Sequence, residues 1–365
     1  MVLPQRLGDI LSKPNRTPER RARSKARYAV LALATVCLSI AVGLLVFFGA
    51  DIYLHHKYER TASVNVWGYR GPTVGRKQPG ETRVAVFGGS TAFGYGPDWD
   101  GSFPYLLERR LNERSSRPGS FSVVNLAYNN DGAYAFRLAM EDYAYLDFDV
   151  AILYEGYNDL GDAPHHDTYR HHSPLFRLTG YMPILPLILR EKAHAIAYGG
   201  DISRGYRGEQ TVFRPTLAAR AASGTLTAAA ETAQALERQL GRLTPESRRG
   251  NPAASETTCE NRWKDYCGSI AEAMAWARSR GIAVIVGTQP YISDRHVAQQ
   301  QALAVFLKER AASDSGIVHV NLGTAIDLEN PGLAYDGMHL TRDGNAVIAE
   351  AFVEPVLAIR HERRH

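Results

Sequence analysis

The chain has 365 residues, 45% of them hydrophobic, with a net charge of +4 and three cysteines. This length and apolar content suffice for a sizeable core, which argues against a disordered protein. Residues 1–27 hold eight Lys or Arg and two acidic residues, a net of +6, so the rest carries −2 and a nucleic-acid-binding role for the main domain loses its electrostatic support.

An uncharged run, YAVLALATVCLSIAVGLLVFFGA, follows this basic tail at residues 28–50. As a helix it would cross about 30 Å of hydrocarbon, and it is longer than the apolar region of a cleaved signal peptide. We therefore predict a retained transmembrane anchor, with a cleaved signal as the alternative. The positive-inside rule then puts residues 1–27 in the cytoplasm and residues 51–365 outside it, in the periplasm or at the cell surface.

After an irregular lead-in at residues 51–82, one α/β domain is predicted over residues 83–365. Short β-branched runs there are typical of strands buried on both faces. The predicted strands are Arg83–Phe87, Ser122–Leu126, Val150–Tyr154, Ile282–Gly287 and Val318–Leu322. The helical patterns between and after them are Phe103–Asn112, Tyr134–Tyr145, Ser269–Arg280, Val297–Ala312 and Asp343–Ile359. This alternation predicts a parallel sheet covered by helices on both faces.

A long segment, residues 160–262, separates the third and fourth predicted strands and is too long for a simple loop. We predict a helical insertion, which either roofs the ligand-binding edge of the sheet or packs on the side of the domain. Its apolar residues form either a lid or acyl-chain groove, or the insertion's own core: Leu175, Phe176, Tyr181, Ile184, Leu185, Leu187 and Ile188. An oxidising compartment would favour a disulfide between Cys259 and Cys267; two free thiols are the alternative.

Four polar segments follow predicted strands or precede the last helix. The first, VAVFGGSTAFGYG at residues 84–96, places Ser90 just past a strand but lacks the phosphate-loop, dinucleotide-loop and GxSxG patterns. YDGMHLTRDG at 335–344 places Asp336 three residues before His339, so that, on one helical turn, the carboxylate could orient the imidazole. YEGYNDL at 154–160 offers the Asn158 amide, and NLAYNNDGAY at 125–134 offers the Gly132 N–H, as oxyanion donors.

These four segments share one edge of the predicted sheet, and their order resembles the four blocks of the SGNH (GDSL-type) hydrolase family. The resemblance implies a flavodoxin-like three-layer α/β/α sandwich. It implies Ser90 as nucleophile, His339 as general base and Asp336 as its orienting acid, with an oxyanion hole from Ser90, Gly132 and Asn158. Two features depart from the family pattern: Gly89 replaces the usual aspartate of the first block, and Ala127 stands where a glycine is common.

The activity expected from this resemblance is that of a serine esterase acting on acyl groups of cell-envelope glycans or on lipid esters. A glycan acyltransferase with the same triad and a catalytically silent, membrane-tethered binding module are the alternatives. We expect no cofactor, no nucleic-acid partner and no metal, because HHDTYRHH at residues 165–172 matches no recognised zinc spacing. Acyl-chain length and oligomeric state are left open by the sequence.

Overall fold

The computed structural model describes residues 18–61, 63–115, 117, 119–160, 169–189, 258–260 and 262–362. The chain divides into two compact units, residues 1–51 and 52–365. Helix α1 begins at Pro18, which belongs to the first unit, and ends at Tyr58, which belongs to the second. Residues 25–58 of this helix have a mean hydropathy of 2.7 in their most apolar window, and by length and composition the helix is able to cross a membrane. An anchor and a signal sequence both meet this criterion.

The second unit is built on five parallel strands, which lie in the order β2-β1-β3-β4-β5. Their bounds are Thr82–Gly88 (β1), Phe121–Asn125 (β2), Val150–Tyr154 (β3), Ala283–Gly287 (β4) and Ile317–Val320 (β5). This order is that of flavodoxin-like folds, so the predicted fold class is confirmed. All five residues of β3 and all five of β4 are buried, as expected for strands covered on both faces.

Helices connect the strands and cover the two faces of the sheet. They are α2 (Ser90–Phe93), α3 (Phe103–Arg114), α4 (Ala135–Asp142), α5 (Tyr169–His172), α6 (Pro174–Thr179), α7 (Lys264–Arg278), α8 (Asp294–Ser313) and α9 (Arg342–Glu362). Helix α3 packs against α9, and α4 packs against α7. These two helix pairs and the sheet give the three layers that the resemblance implies.

The outer edge of β2 is covered by groups from α3 and from the lead-in. The side chain of Asn112 accepts the Phe121 N–H, and Glu108 accepts the Val123 N–H at 2.7 Å. Arg70 forms an isolated antiparallel bridge to Asn125, and its buried guanidinium donates to backbone carbonyls of the lead-in and of Pro97. The lead-in is therefore part of the domain and shields an edge strand from pairing with another chain.

Most of the predicted insertion, residues 161–168 and 190–257, lies outside the described residues, so its role as a roof stays a prediction. Of the apolar residues in its first part, Phe176 and Ile184 are buried in the main core, and the Phe176 ring lies 5.6 Å from the Tyr143 ring. Packing against Tyr143 does not place Phe176 in a groove. At the other end of the insertion, Cys259 and Cys267 form a disulfide with Cα atoms 5.8 Å apart.

Candidate active site

Ser90 lies where β1 ends, as the first residue of α2. Strand register brings neighbouring strand ends level with it, because Gly88 pairs with Tyr154 and Tyr154 pairs with Gly287. The backbone at Gly89 has φ −87°, which any residue adopts. Glycine is instead required there by space, since a Cβ at residue 89 would collide with Glu155 Oε2 and Asn158 Nδ2. Gly88 and Gly89 thus permit a close approach, whereas Gly94 and Gly96, later in the segment, adopt positive φ angles of 78° and 111°.

The imidazole of His339 lies between Ser90 and Asp336. Its Nε2 is 2.8 Å from Ser90 Oγ, and its Nδ1 is 2.7 Å from Asp336 Oδ2. Asp336 and His339 do not share a helical turn, contrary to the sequence interpretation: they precede α9 in a non-helical turn. That turn is closed by Asp336 Oδ1, which accepts the N–H groups of Met338 at 3.0 Å and His339 at 2.7 Å.

This turn fixes the protonation pattern of the ring. Because an ionised carboxylate only accepts hydrogen bonds, His339 Nδ1 carries the proton towards Asp336, and Nε2 is left to accept from Ser90 Oγ. Partial burial by itself would raise the pKa of Asp336. The hydrogen bonds from the His339 ring and from the His339 and Met338 N–H groups outweigh burial, and the pKa is lowered. Asp336 is therefore ionised at neutral pH.

Asn158 lies in a 3₁₀ turn, Tyr157–Asp159, directly after β3. Its side-chain amide donates to the Asp131 carbonyl at 2.9 Å and is close to Gly89. Because the C=O and N–H of a trans peptide point in opposite directions, the Gly132 N–H points away from this amide. The structure thus brings Ser90, His339, Asp336 and Asn158 together, and it turns the carbonyl of the Asp131–Gly132 peptide, rather than the N–H, towards Asn158.

Two aromatic residues flank His339 and were not singled out from the sequence. The Tyr335 ring stacks on the imidazole at 6.0 Å with an interplanar angle of 19°, and the Tyr95 ring lies 5.0 Å from the imidazole. The Tyr335 hydroxyl donates to the Tyr95 carbonyl at 2.9 Å. Gly96 makes room for this arrangement, since a Cβ there would collide with the Tyr335 ring. The adjacency of Tyr335 to Asp336 was the only available sequence signal.

Buried polar groups support the turns around Ser90. Gln289, which follows β4, accepts the Tyr157 N–H at 2.9 Å and donates to Thr91 Oγ1 at 2.5 Å. Arg170 is buried beside Asp131, with Nη2 3.2 Å from Asp131 Oδ2. Burial raises the pKa of Asp131 to about 6 although the Arg170 charge opposes this shift. Helix α5 therefore contacts, through Arg170, the loop whose Asp131 carbonyl binds the Asn158 amide.

The histidine-rich segment at 165–172 is described only from residue 169. There, His171 Nδ1 lies 3.1 Å from Asp142 Oδ2, so this histidine pairs with a carboxylate of α4. Residues 165–168 fall outside the described part of the chain. The expectation that this segment binds no metal stays a prediction.

The buried His296 of α8 should make the free energy of unfolding sensitive to acid. Its ring is buried, both nitrogens lack a hydrogen-bond partner in the described part, and burial lowers its pKa to about 4. The unfolded chain binds this proton near pH 6.5, so the stability present above pH 6.5 is lost as the pH falls towards 4. We expect a loss of about 2 kcal/mol between pH 7 and pH 5.

Unfolding of the detergent-solubilised chain, followed by circular dichroism at several pH values, measures this loss. His296→Leu removes the titrating group and should flatten the pH dependence by that amount. The exposed His361 supplies a control, since His361→Leu should leave the wild-type pH dependence unchanged. Equal pH dependence in the wild type and His296→Leu would show that His296 is not responsible.

No family model matches the chain, and no curated protein matches it. Several solved structures are similar to it. A GDSL-like lipase from Bacteroides thetaiotaomicron is 13% identical, with a TM-score of 0.39, and the match covers 79% of this chain and 93% of the lipase. A catalytic mutant of an acetylxylan esterase from Geobacillus stearothermophilus is 11% identical, with a TM-score of 0.38 and coverage of 76% and 95%.

A family 3 carbohydrate esterase from Clostridium thermocellum is 10% identical, with a TM-score of 0.38 and coverage of 77% of this chain and 98% of the esterase. At sequence identities this low, the similarity concerns the fold alone. The solved structures that this chain resembles thus include GDSL-type lipolytic proteins and carbohydrate esterases.

Proposed function

We propose that the chain is a GDSL-type serine esterase that cleaves a carboxylic ester through an acyl-enzyme on Ser90. The observation that carries this proposal is the continuous series of close contacts from Asp336 through His339 to Ser90 Oγ, at 2.7 and 2.8 Å. An imidazole held by a carboxylate on one nitrogen and facing a hydroxyl with the other is the arrangement that activates a serine for acyl transfer.

The mechanism follows from these contacts. His339 Nε2 takes the proton of Ser90 Oγ as Oγ bonds to the ester carbonyl carbon, and the carbonyl electron pair moves onto oxygen. When the ester C–O bond breaks, the leaving alcohol takes the proton from His339, and the acyl group stays on Ser90. Water then attacks the acyl-enzyme, gives its proton to His339, and the carboxylic acid leaves as Ser90 recovers its proton.

The negative oxygen of each tetrahedral intermediate requires hydrogen-bond donors. We assign the Ser90 N–H, which lies in the first turn of α2 where N–H groups have no partner within the helix. We also assign the Asn158 amide, of which one hydrogen is bonded to the Asp131 carbonyl and the other is available. Gly132 is left out of this pair because its peptide presents the carbonyl on this side.

We place the substrate outside the cytoplasm, as an ester of the cell envelope carried by a glycan or a lipid. The basic tail before the apolar helix favours export of the residues that follow it. The Cys259–Cys267 disulfide supports the same location, because disulfides persist in oxidising compartments.

Labelling with a fluorophosphonate probe tests the proposal. We expect the full chain in detergent micelles to be modified on one peptide, at Ser90, because only an activated serine reacts efficiently with such a probe. His339→Ala should lose the labelling, and His361→Ala, at an exposed histidine of α9, should keep it. A folded chain that is not labelled, or is labelled equally in His339→Ala, would contradict the assignment.

A further inference from the structure

A buried carboxyl group lies directly beneath the proposed site. Glu155 is the first residue after β3 and is only 3% exposed. Its carboxyl oxygens accept three peptide N–H groups: Oε2 accepts from Gly89 at 2.5 Å, and Oε1 accepts from Gly156 at 2.9 Å and Asn158 at 3.0 Å. The resemblance to the SGNH family implies no role for this residue.

The three donors belong to two different turns. Gly89 immediately precedes Ser90 at the end of β1, whereas Gly156 and Asn158 belong to the turn after β3. One carboxyl group therefore ties the turn that presents the nucleophile to the turn that presents the amide. A carboxyl group is well suited to this bridging, because its two oxygens can each accept from a different peptide segment.

The same carboxyl also explains the departure at position 89. Glu155 Oε2 and Asn158 Nδ2 fill the space that any side chain at residue 89 would need. An acid at position 89, as in the GDSL pattern, would displace both groups. The acid beside the nucleophile turn is thus supplied by the residue that follows β3, and glycine at position 89 leaves the space that this acid needs.

The surroundings hold Glu155 in place. Its backbone carbonyl accepts the Tyr266 hydroxyl of α7 at 2.8 Å, and Gln300 of α8 donates to that hydroxyl at 3.1 Å. Residues of two helices therefore hold the backbone of Glu155, from which the side chain reaches Gly89 and Asn158.

We propose that Glu155 is a positioning residue that fixes the Ser90 N–H and the Asn158 amide as a preorganised pair of oxyanion donors. This inference rests on the proposed esterase function. Preorganisation matters because donors that must move during the reaction contribute less to transition-state stabilisation than donors already in place. The hydrogen bonds of the Glu155 carboxyl go to peptide N–H groups and not to Ser90 Oγ, so it acts through the two peptide segments that it joins.

The ionisation of this group gives a second signature. Burial, and then the nearby Asp159 charge, raise the pKa of Glu155 to about 8 although its three N–H donors oppose this shift. Protonation removes acceptor capacity from a carboxyl that has three donors. A plot of kcat against pH should therefore rise near pH 8, as Glu155 loses its proton. The other titratable groups around Glu155 are Tyr154, Tyr157, Asp159, Tyr266, His296 and Asp131 with its partner Arg170.

Glu155→Gln in the full, detergent-solubilised chain tests the role. Glutamine has a single acceptor oxygen, so it cannot serve both turns. We expect kcat for p-nitrophenyl esters to fall roughly 10- to 100-fold with KM within about threefold, and the rise near pH 8 to disappear. Glu108→Gln is the matched control, because Glu108 also accepts a peptide N–H, but from Val123 of β2, and it should keep wild-type kcat.

Hydrogen exchange measured by mass spectrometry provides a readout that does not need turnover. We expect peptides containing Gly89 and Asn158 to exchange faster in Glu155→Gln than in the wild type, and to be unchanged in Glu108→Gln. If Glu155→Gln does not fold, Glu155→Asp replaces it, because the shorter side chain keeps the carboxyl group but draws back from Gly89. At least a tenfold lower kcat is then expected.

The outcomes separate the two proposals. A wild-type chain that neither labels at Ser90 nor hydrolyses esters overturns the esterase function, whereas the exchange data still decide whether Glu155 holds both turns. Active wild type with unchanged kcat, pH profile and exchange in Glu155→Gln overturns the positioning role alone. A fall in kcat that is accompanied by an equal rise in KM would also overturn it, because donors to the oxyanion act mainly in the transition state.

Discussion

Ser90→Ala is expected to lower kcat for ester hydrolysis by about 10⁴-fold or more. Ser90 Oγ is the hydroxyl at 2.8 Å from His339 Nε2, and alanine leaves that nitrogen without a nucleophile to activate. His339 could then activate only a water molecule, for which the site is not arranged. A small residual rate remains, because the oxyanion donors still stabilise the transition state. The measurement is the steady-state rate with p-nitrophenyl acetate and a longer acyl ester, on the full chain in detergent.

The fold should survive this substitution, because Ser90 is only half-buried and alanine is smaller. Circular dichroism and the thermal midpoint should match the wild type. Ser279→Ala is the control, since Ser279 is an exposed serine whose hydroxyl donates to the Trp276 carbonyl and accepts from the neighbouring Arg280. A Ser90→Ala chain that retains a rate within tenfold of the wild type would rule out Ser90 as the nucleophile.

Asp336→Asn should reduce kcat by about 10³- to 10⁴-fold with little change in fold. Asp336 Oδ1 accepts two backbone N–H groups, so the single oxygen of asparagine is expected to stay with them. The amide NH₂ then faces His339 Nδ1 and selects the tautomer with the proton on Nε2. That nitrogen can no longer accept the proton of Ser90.

Asp327→Asn controls for the loss of a turn-capping carboxylate. Asp327 is exposed and accepts the Glu329 N–H at 3.0 Å, but it faces no imidazole. Its replacement should leave kcat unchanged. Partial recovery of Asp336→Asn at alkaline pH is expected, where hydroxide replaces the missing base. Wild-type activity in Asp336→Asn would mean that the carboxylate does not orient His339.

The strands were predictable because each is a short β-branched run. Val150–Tyr154 was predicted with the observed bounds, and the other strand ends differ by at most two residues. Parallel strands buried on both faces lack the alternation of polar and apolar residues, so continuous apolar runs mark them clearly. The grouping of Ser90, Asn158 and the Asp336–His339 turn followed from the strand ends.

The contacts that hold the site together were harder to predict from the sequence. Glu155 lies in a segment that was singled out for Asn158, yet nothing in its letters tells that the carboxyl turns inward and meets Gly89, 66 residues earlier. The turn geometry of Asp336 was predicted as helical because a spacing of three fits both a helix and a capped turn. Such features depend on contacts between segments that are distant in the sequence, and the periodicity of apolar residues does not encode these contacts.

The distance along the chain between Ser90 and His339 has a consequence for biosynthesis. The two residues are 249 positions apart, and the Asp336–His339 turn follows all five strands. A chain that is still on the ribosome therefore contains Ser90 long before His339 has been synthesised. The emerging polypeptide is therefore a silent precursor, and reactivity towards esters begins only when the last strand and helix have docked.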